Sequence, residues 1–443
     1  MAKVKVKFPS ILSKFTNGTK EVEVTALTLK ETLEKLEEKF GEKFKQALFN
    51  EDGSLKRTIN VLLNGRNVRF LNFQEVKLND NDEISVIPAV GGGSITLSIS
   101  DLERYSRQIT LKKIGLEGQK KLKEAKVLIA GVGGLGCVSA LQLAAMGVGY
   151  LKIIDQDVVD VTNLHRQILY DVASLGYPKV EVAEKKLKAI NPSIEIEAET
   201  LTINRFTANE AVKGVDIVVD GLDRIEPRYA INEACINLNI PYVFGSAIET
   251  YGSATTIIPK KTGCLECVLG KINDENLPTC ETVGVFPPVL SIIASIQVSE
   301  VVNLILNHPP ALANKFLFLS LENPISIDVF SVKKSDFCST CGGKTSEKIE
   351  GEHLISELCG KNSFMVSTTK LKFFDLNHVA AALSKKFKVN FKSSFGLTFN
   401  YSNSISITFM KNGNMLIKGI STKKEAKKIY DEIMGLINQV NWL

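Results

Sequence analysis

The chain has 443 residues, 44% of them hydrophobic and 23% charged, which is too long for one ordinary domain and apolar enough for two or three packed cores. Its net charge of +5 is spread thinly, with the excess lysine near the two ends, and does not form the concentrated basic patch that nucleic-acid binding needs. No run of 18 apolar residues occurs and MAKVKVKFPS lacks the apolar centre of a signal peptide, so a cytoplasmic protein is expected, with neither membrane nor nucleic acid as partner and with eight cysteines suited to metal or thiol chemistry.

Residues 1–93 read as a small module. Val4–Phe8 and Glu21–Ala26 alternate with period two around Asn17-Gly18, a turn signal. Leu29, Leu33, Leu36 and Phe40 share one face of a helix that Thr28 can cap, and Thr58–Leu63 and Glu83–Val90 add strands. Two strands, a helix and further strands make a β-grasp arrangement, and the module closes on glycines 91–93. A β-grasp unit with a diglycine tail resembles the ubiquitin-like sulfur carriers MoaD and ThiS. In such a tail the lack of Cβ has a steric use, since only a bare chain threads a narrow channel.

The body spans 94–343. Residues 94–101 read as a connector, followed by ERYSRQIT at 103–110. Val127–Ala130 then makes a short buried strand that runs into glycines 131, 133, 134 and 136 and a small-residue helix. Strand, glycine turn and helix present bare backbone N–H groups to phosphate oxygens. Tyr150–Asp155 is the next strand, and Asp155 at its carboxyl end suits a ribose hydroxyl. To that point a nicotinamide-dependent oxidoreductase fits equally well. The stretch DQDVVDVTNLHRQILYDVASLGYPK, residues 155–179, adds Asn163, Arg166 and Lys179, two cations and an amide that suit a triphosphate held for attack. Val215–Asp220 is a further strand running into Asp223, a carboxylate placed to hold Mg²⁺ on phosphates.

RYSRQ (104–108), GVGGLG (131–136), D-x-D-x-V…NLHRQ (155–167), GYPK (176–179) and Asp223 with Arg228 together resemble the MoeB and ThiF adenylyltransferases, prokaryotic relatives of the ubiquitin-activating enzymes. The resemblance runs from about 101 to 343. It implies a doubly wound Rossmann-like α/β fold, a homodimer, and ATP- and Mg²⁺-dependent adenylation of the C-terminal glycine of a ubiquitin-like sulfur carrier for molybdopterin, thiamine or tRNA thiolation. Activation of a modifier for conjugation to proteins is the alternative. Residue by residue, the resemblance assigns nucleotide binding to Gly131, Gly133, Gly134, Asp155, Asp157, Asn163, Arg166, Gln167, Lys179 and Asp223, with Asp223 also coordinating Mg²⁺. Arg107 would reach the phosphates from the partner subunit. The family commonly has Asp-Asn where this chain has Asp223-Arg224.

Cys264-x-x-Cys267 and Cys338-x-x-Cys341 are paired thiolate hooks for one structural zinc, provided the fold joins them across 70 intervening residues. Cys280 lies in a loop-like stretch ahead of a long apolar helix, Val289–Leu306. In MoeB- and ThiF-like proteins the cysteine there faces the adenylate and in some members bonds the carrier covalently, which implies a thiolate. Cys137 and Cys235 fall in apolar helical patterns and read as core.

Residues 344–443 read as a linker and a small α+β domain. Strands are expected at Phe364–Ser367, Leu397–Asn400, Ile405–Phe409 and Met415–Ile417, with a helix at His378–Lys386 and a terminal one capped by Thr422. This part carries no catalytic constellation and no rhodanese-type cysteine loop, so sulfur would come from an external sulfurtransferase or cysteine desulfurase. Because glycines 91–93 continue by peptide bond, either a protease frees the carrier after Gly92 or Gly93 or separate carriers are activated.

Overall fold

The computed structural model describes the chain except for residues 10–11, 13–14, 51–54, 57–58, 69–75, 89–96, 273, 275–278, 280–281, 343–352, 358–361, 369–372 and 439–443. It forms two compact units, Met1–Glu124 and Ala125–Leu443.

In the first unit, β1 (Ala2–Lys7) and β2 (Glu21–Ala26) pair antiparallel, and their alternating valines are buried while lysines and glutamates face out. Asn17 and Gly18 both take positive φ, 52° and 80°, as their turn signal requires. Helix α1 (Leu29–Phe40) starts where Thr28 Oγ1 accepts from Glu31 N, and it buries Leu29, Leu33 and Leu36. After α2 (Glu42–Leu48) come β3 (Ile59–Leu63), β4 (Arg66–Asn67) and β5 (Glu83–Pro88). The sheet order β2-β1-β5-β3-β4, with β1 and β5 parallel, is the expected β-grasp. The glycine tail lies outside the described residues. What reads as a connector already holds a helix start. Ser98 and Asp101 exchange bonds in a capping box that opens α3 (Ile99–Arg104), followed by α4 (Ser106–Ile109) and α5 (Gly115–Glu124).

The second unit opens with β6 (Lys126–Ala130), α6 (Gly134–Met146), β7 (Tyr150–Ile154), α7 (Lys179–Ile190), β8 (Glu195–Glu199), α8 (Ala208–Val212) and β9 (Ile217–Asp220). There follow α9 (Ile225–Leu238), β10 (Tyr242–Ile248), β11 (Tyr251–Ile257), α10 (Leu265–Leu269), α11 (Pro287–Ile305), β12 (Lys315–Ser320) and β13 (Ser326–Ser331). They build an eight-stranded sheet of order β13-β12-β11-β10-β9-β6-β7-β8. The strands β10, β9, β6, β7 and β8 are parallel, and β11 to β13 continue antiparallel. Strand order reverses between β6 and β9, so a crevice opens at their carboxyl ends, where such sheets bind ligands. By length and composition α11 is apolar enough to cross a membrane, yet Val289, Ile293, Ala294 and Val301 on it are fully buried in the protein core.

The rest of this unit is a six-stranded antiparallel sheet with two helices: β14 (His353–Glu357), β15 (Ser363–Thr368), α12 (Leu376–Leu383), β16 (Lys388–Lys392), β17 (Gly396–Asn400), β18 (Ser406–Met410), β19 (Met415–Lys418) and α13 (Lys423–Asn438). Thr422 Oγ1 accepts from Glu425 N at 3.2 Å, the cap expected there. Phe364, Val366, Met415 and Ile417 face the helices and form a core with Leu383, Ile429 and Ile433.

Candidate functional site

Three glycines let backbone approach backbone at the switch point. Gly131 ends β6 with φ +90°, and a Cβ on Gly136 would lie 1.9 Å from Gly131 O. A Cβ on Gly221, which follows β9, would lie 2.2 Å from the same oxygen. Strand and helix can close up here only with bare Cα atoms. Val132 is then pinned from both sides. Its N–H donates to Asp155 Oδ2 at 2.8 Å, and its carbonyl accepts from Tyr170 Oη at 2.8 Å and from the Cys137 thiol at 3.2 Å.

This loop forms the floor of a cavity of about 370 Å³, within the size range of small-ligand sites. Gly133 and Gly134 line it at the start of α6, where the first turn leaves N–H groups unpaired. Asp155, Gln156, Asp157, Arg166, Gln167, Lys179 and, beyond β9, Asp223 also line it. Apolar surface comes from Leu201, Ile203 and Phe244.

Lys179 is the first residue of α7 and is 5% exposed, with its ammonium 2.9 Å from Asp157 Oδ2. Burial alone would lower its pKa, but the fields of Asp157, Asp155 and Asp223 outweigh that and hold it charged, above the ordinary lysine range. Burial pushes Asp155 up to about 6, opposed by Lys179 and reinforced by Asp157. A cation is thus fixed among three carboxylates at the glycine turn. Arg166 donates to Thr162 O at 2.7 Å and also borders the cavity. Gln156 Oε1 and Gln167 Oε1 are buried without a hydrogen-bond partner among the described residues. Unpaired buried acceptors on a cavity wall suit a ligand that donates to them.

Of the residues expected from sequence, Gly131, Gly133, Gly134, Asp155, Asp157, Arg166, Gln167, Lys179 and Asp223 all line this cavity. Asn163 does not. It is buried on the 3₁₀ turn Val161–Asn163, where its Oδ1 accepts from Asp160 N at 3.0 Å. Arg107 is exposed on α4 of the first unit, and Cys280 lies outside the described residues. Arg228 borders the cavity but is committed elsewhere: it pairs with fully buried Asp220 at 3.1 Å and donates to the carbonyls of Leu222 and Gly245. Gln156, Leu201 and Ile203 also line the cavity, and nothing in their sequence spacing marks them for it.

The two cysteine hooks meet. Sγ of Cys264 is 4.0 Å from Cys267 and 3.5 Å from Cys338, Cys267 is 3.5 Å from Cys341, and all four lie within 4.8 Å of one another. These separations fit a tetrahedron of sulfurs with bonds of about 2.3 Å to a metal, whose edges are about 3.8 Å. A disulfide would need about 2.05 Å. The cluster can therefore bind a metal such as zinc. Cys137 and Cys235 are buried core thiols, raised by burial.

Residues 105–341 match the ThiF family and residues 6–93 the ThiS family. The chain is 31% identical over 338 residues to the sulfur carrier protein ThiS adenylyltransferase of Bacillus subtilis, covering 75% of this chain and 99% of that protein. It is 35% identical over 246 residues to the adenylyltransferase and sulfurtransferase MOCS3 of Anopheles gambiae. That match covers 55% of this chain and 56% of the mosquito protein, so the chain spans about half of that relative. Among solved structures, E. coli MccB with ATP is 29% identical, with 54% of this chain and 75% of that one covered and a TM-score of 0.49.

Proposed function

The chain belongs to the ThiF family and carries a ThiS-family segment ahead of it, and from that footing we propose that it is an ATP-dependent adenylyltransferase acting on the C-terminal glycine of a ThiS- or MoaD-type sulfur carrier. The observation that carries the reading is the convergence of Gly133, Gly134, Asp155, Arg166, Lys179 and Asp223 on one cavity at the switch point. A carboxylate oxygen of the carrier attacks the α-phosphorus of ATP, the bond to the bridging oxygen breaks, and pyrophosphate leaves. Lys179 and Arg166 lower the barrier by holding charge that grows toward pyrophosphate, and they do so in fixed positions. Asp155 accepts from the ribose, and the N–H groups at the start of α6 meet phosphate oxygens. Asp223 offers an oxygen ligand of the kind Mg²⁺ takes, and bound Mg²⁺ would neutralise part of the phosphate charge. The four cysteines would hold Zn²⁺ in a closed structural site, since four thiolates leave no open position.

We place the protein in the cytoplasm as a homodimer, with Arg107 of one protomer completing the phosphate site of the other. Sulfur would reach the acyl-adenylate from a separate sulfurtransferase or cysteine desulfurase, with Cys280 as the candidate covalent relay. ATP–pyrophosphate exchange tests the central reading. With a separate diglycine carrier the full chain should exchange label, and Asp223→Ala should lose at least about a hundredfold of that rate. Background exchange in the wild type, or full exchange in Asp223→Ala, would sink it.

A further inference from the structure

The central strands β15, β18 and β19 of the C-terminal sheet are buried on both faces. On β15, Phe364 and Val366 point to its own helices, so the alternate Met365 and Ser367 point away; on β19, Leu416 and Lys418 do the same. That second face covers the back of the cavity wall. Met365, Met410 and Leu416 form a buried apolar cluster with Val158. Thr202 Oγ1 accepts from Ser367 Oγ at 2.7 Å and from Asn414 Nδ2 at 3.2 Å, and Asn412 donates to Thr200 O. All five of these polar residues are at most 5% exposed. Lys418 pairs with Asp160 at 3.3 Å, and the Tyr177 and Phe391 rings meet at 4.1 Å between centroids.

The residues gripped this way are sequence neighbours of those lining the cavity. Val158 and Asp160 follow Asp155, Gln156 and Asp157; Tyr177 precedes Lys179; Thr200 and Thr202 alternate with Leu201 and Ile203. Two of the segments also pair with each other: Val159 N donates to Tyr177 O, Gly176 N to Val159 O, and Lys179 N to Asp157 O, each at 2.8–2.9 Å. Asp160 further accepts from Thr162 N at 3.1 Å and so caps the turn that leads to Arg166.

We propose that the C-terminal domain is a brace for the nucleotide site, with Lys418, Ser367 and Asn414 as positioning residues for segments 157–160 and 200–203, the first of which pairs with 176–179. None of them lines the cavity, so each acts through another group: Lys418 through the Asp160 cap, Ser367 and Asn414 through Thr202. A domain none of whose described residues lines the cavity thereby sets how well ordered the ATP wall is before ligand arrives. The use of ATP rests on the adenylyltransferase reading; the bracing of the wall does not.

The test uses the full chain with Lys418→Glu, which sets two carboxylates against each other, and Lys418→Arg, which keeps the pair. A Ser367→Ala/Asn414→Ala double variant strips Thr202 of both donors. Hydrogen exchange without nucleotide should quicken about tenfold at amides of 157–160, 176, 177 and 179 in Lys418→Glu, and of 200–203 in the double variant. In exchange assays KM for ATP should rise about fivefold in either, more than kcat falls, and Lys418→Arg should restore both readouts. Phe391→Leu at the ring contact replaces any variant that does not fold. Unchanged amide exchange in these segments, or KM within about twofold of wild type, overturns the brace. If wild type itself turns over no ATP, the adenylyltransferase reading fails while amide exchange still decides the brace.

Discussion

Lys179→Met keeps the reach of the side chain and removes its charge. The ammonium lies 2.9 Å from Asp157 Oδ2, with the lysine side chain 6% and the aspartate 36% exposed. At an effective dielectric of about 20, such a contact is worth roughly 4–6 kcal/mol before desolvation. Solvent reaching Asp157 screens part of this, and burying the lysine cost several kcal/mol at the outset. A net loss of about 1–3 kcal/mol remains, or roughly 1.5–5 °C in the unfolding midpoint of a unit the size of Ala125–Leu443. The loss in catalysis should be greater, because a fixed cation facing developing phosphate charge contributes about 10²–10³-fold. Thermal unfolding and ATP–pyrophosphate exchange, run on the same preparation, separate the two effects. The Lys179 pKa is raised above the ordinary 10.5, so the stability it gives is complete below that value and fades only above it. The midpoint difference between variant and wild type should thus be flat from about pH 7 to 9. Lys179→Arg should recover most of the midpoint. A folded Lys179→Met that exchanges within about tenfold of wild type would refute the role given to this cation.

Asp155 sets an acid-side dependence. Its folded pKa of about 6 lies above the unfolded value of about 3.9, so the folded state binds the extra proton and stability falls as pH rises from about 4 to about 6. Asp155→Asn should flatten that slope in denaturant titrations, and an identical slope in both proteins would dismiss the shift. For the cysteine cluster, the purified chain should contain about one zinc per chain, and a strong chelator should lower its unfolding midpoint. Cys338→Ser that still holds one zinc would rule out the four-thiolate site.

The glycine turn, the strand-end carboxylates and the paired cysteines were legible because each is a local pattern with a steric or chemical cause. Gly131 and Gly136 are spaced as a tight strand-to-helix turn demands, and the structure shows the Cβ clashes that demand it. Asn163 illustrates the limit. Its place in the NLHRQ block suggests a phosphate contact, but an asparagine three residues after Asp160 also completes a capping box, and its side chain does that. The helix at Ile99 has a faint sequence signal, one Ser-x-x-Asp pair with little periodicity behind it. Strand β16 (KVNFK) is weakly marked in the sequence, because its lysines and asparagine face solvent on an edge. Least legible was the second buried face of the C-terminal sheet. Met365 and Leu416 could be read as ordinary strand residues, and only their contact with Val158, more than 200 positions away, gives them meaning.

The glycine tail brings the chemistry of the site back to the chain that carries it. Attack on an α-phosphorus needs a carboxylate oxygen with a lone pair and a negative charge to give. The carbonyl oxygen of a peptide bond carries only the partial negative charge that resonance with the nitrogen lone pair lends it, not the full charge of a carboxylate. Gly92 and Gly93 both continue by peptide bonds, into Gly93 and Ser94. In the proposed mechanism, the N–H groups of α6 and the cations at 166 and 179 would stabilise charge on the phosphates and could not supply the missing carboxylate. A chain whose Gly92–Gly93 and Gly93–Ser94 bonds are both intact can therefore activate only a separate carrier. Its own β-grasp domain becomes a substrate only once hydrolysis has exposed a glycine carboxylate.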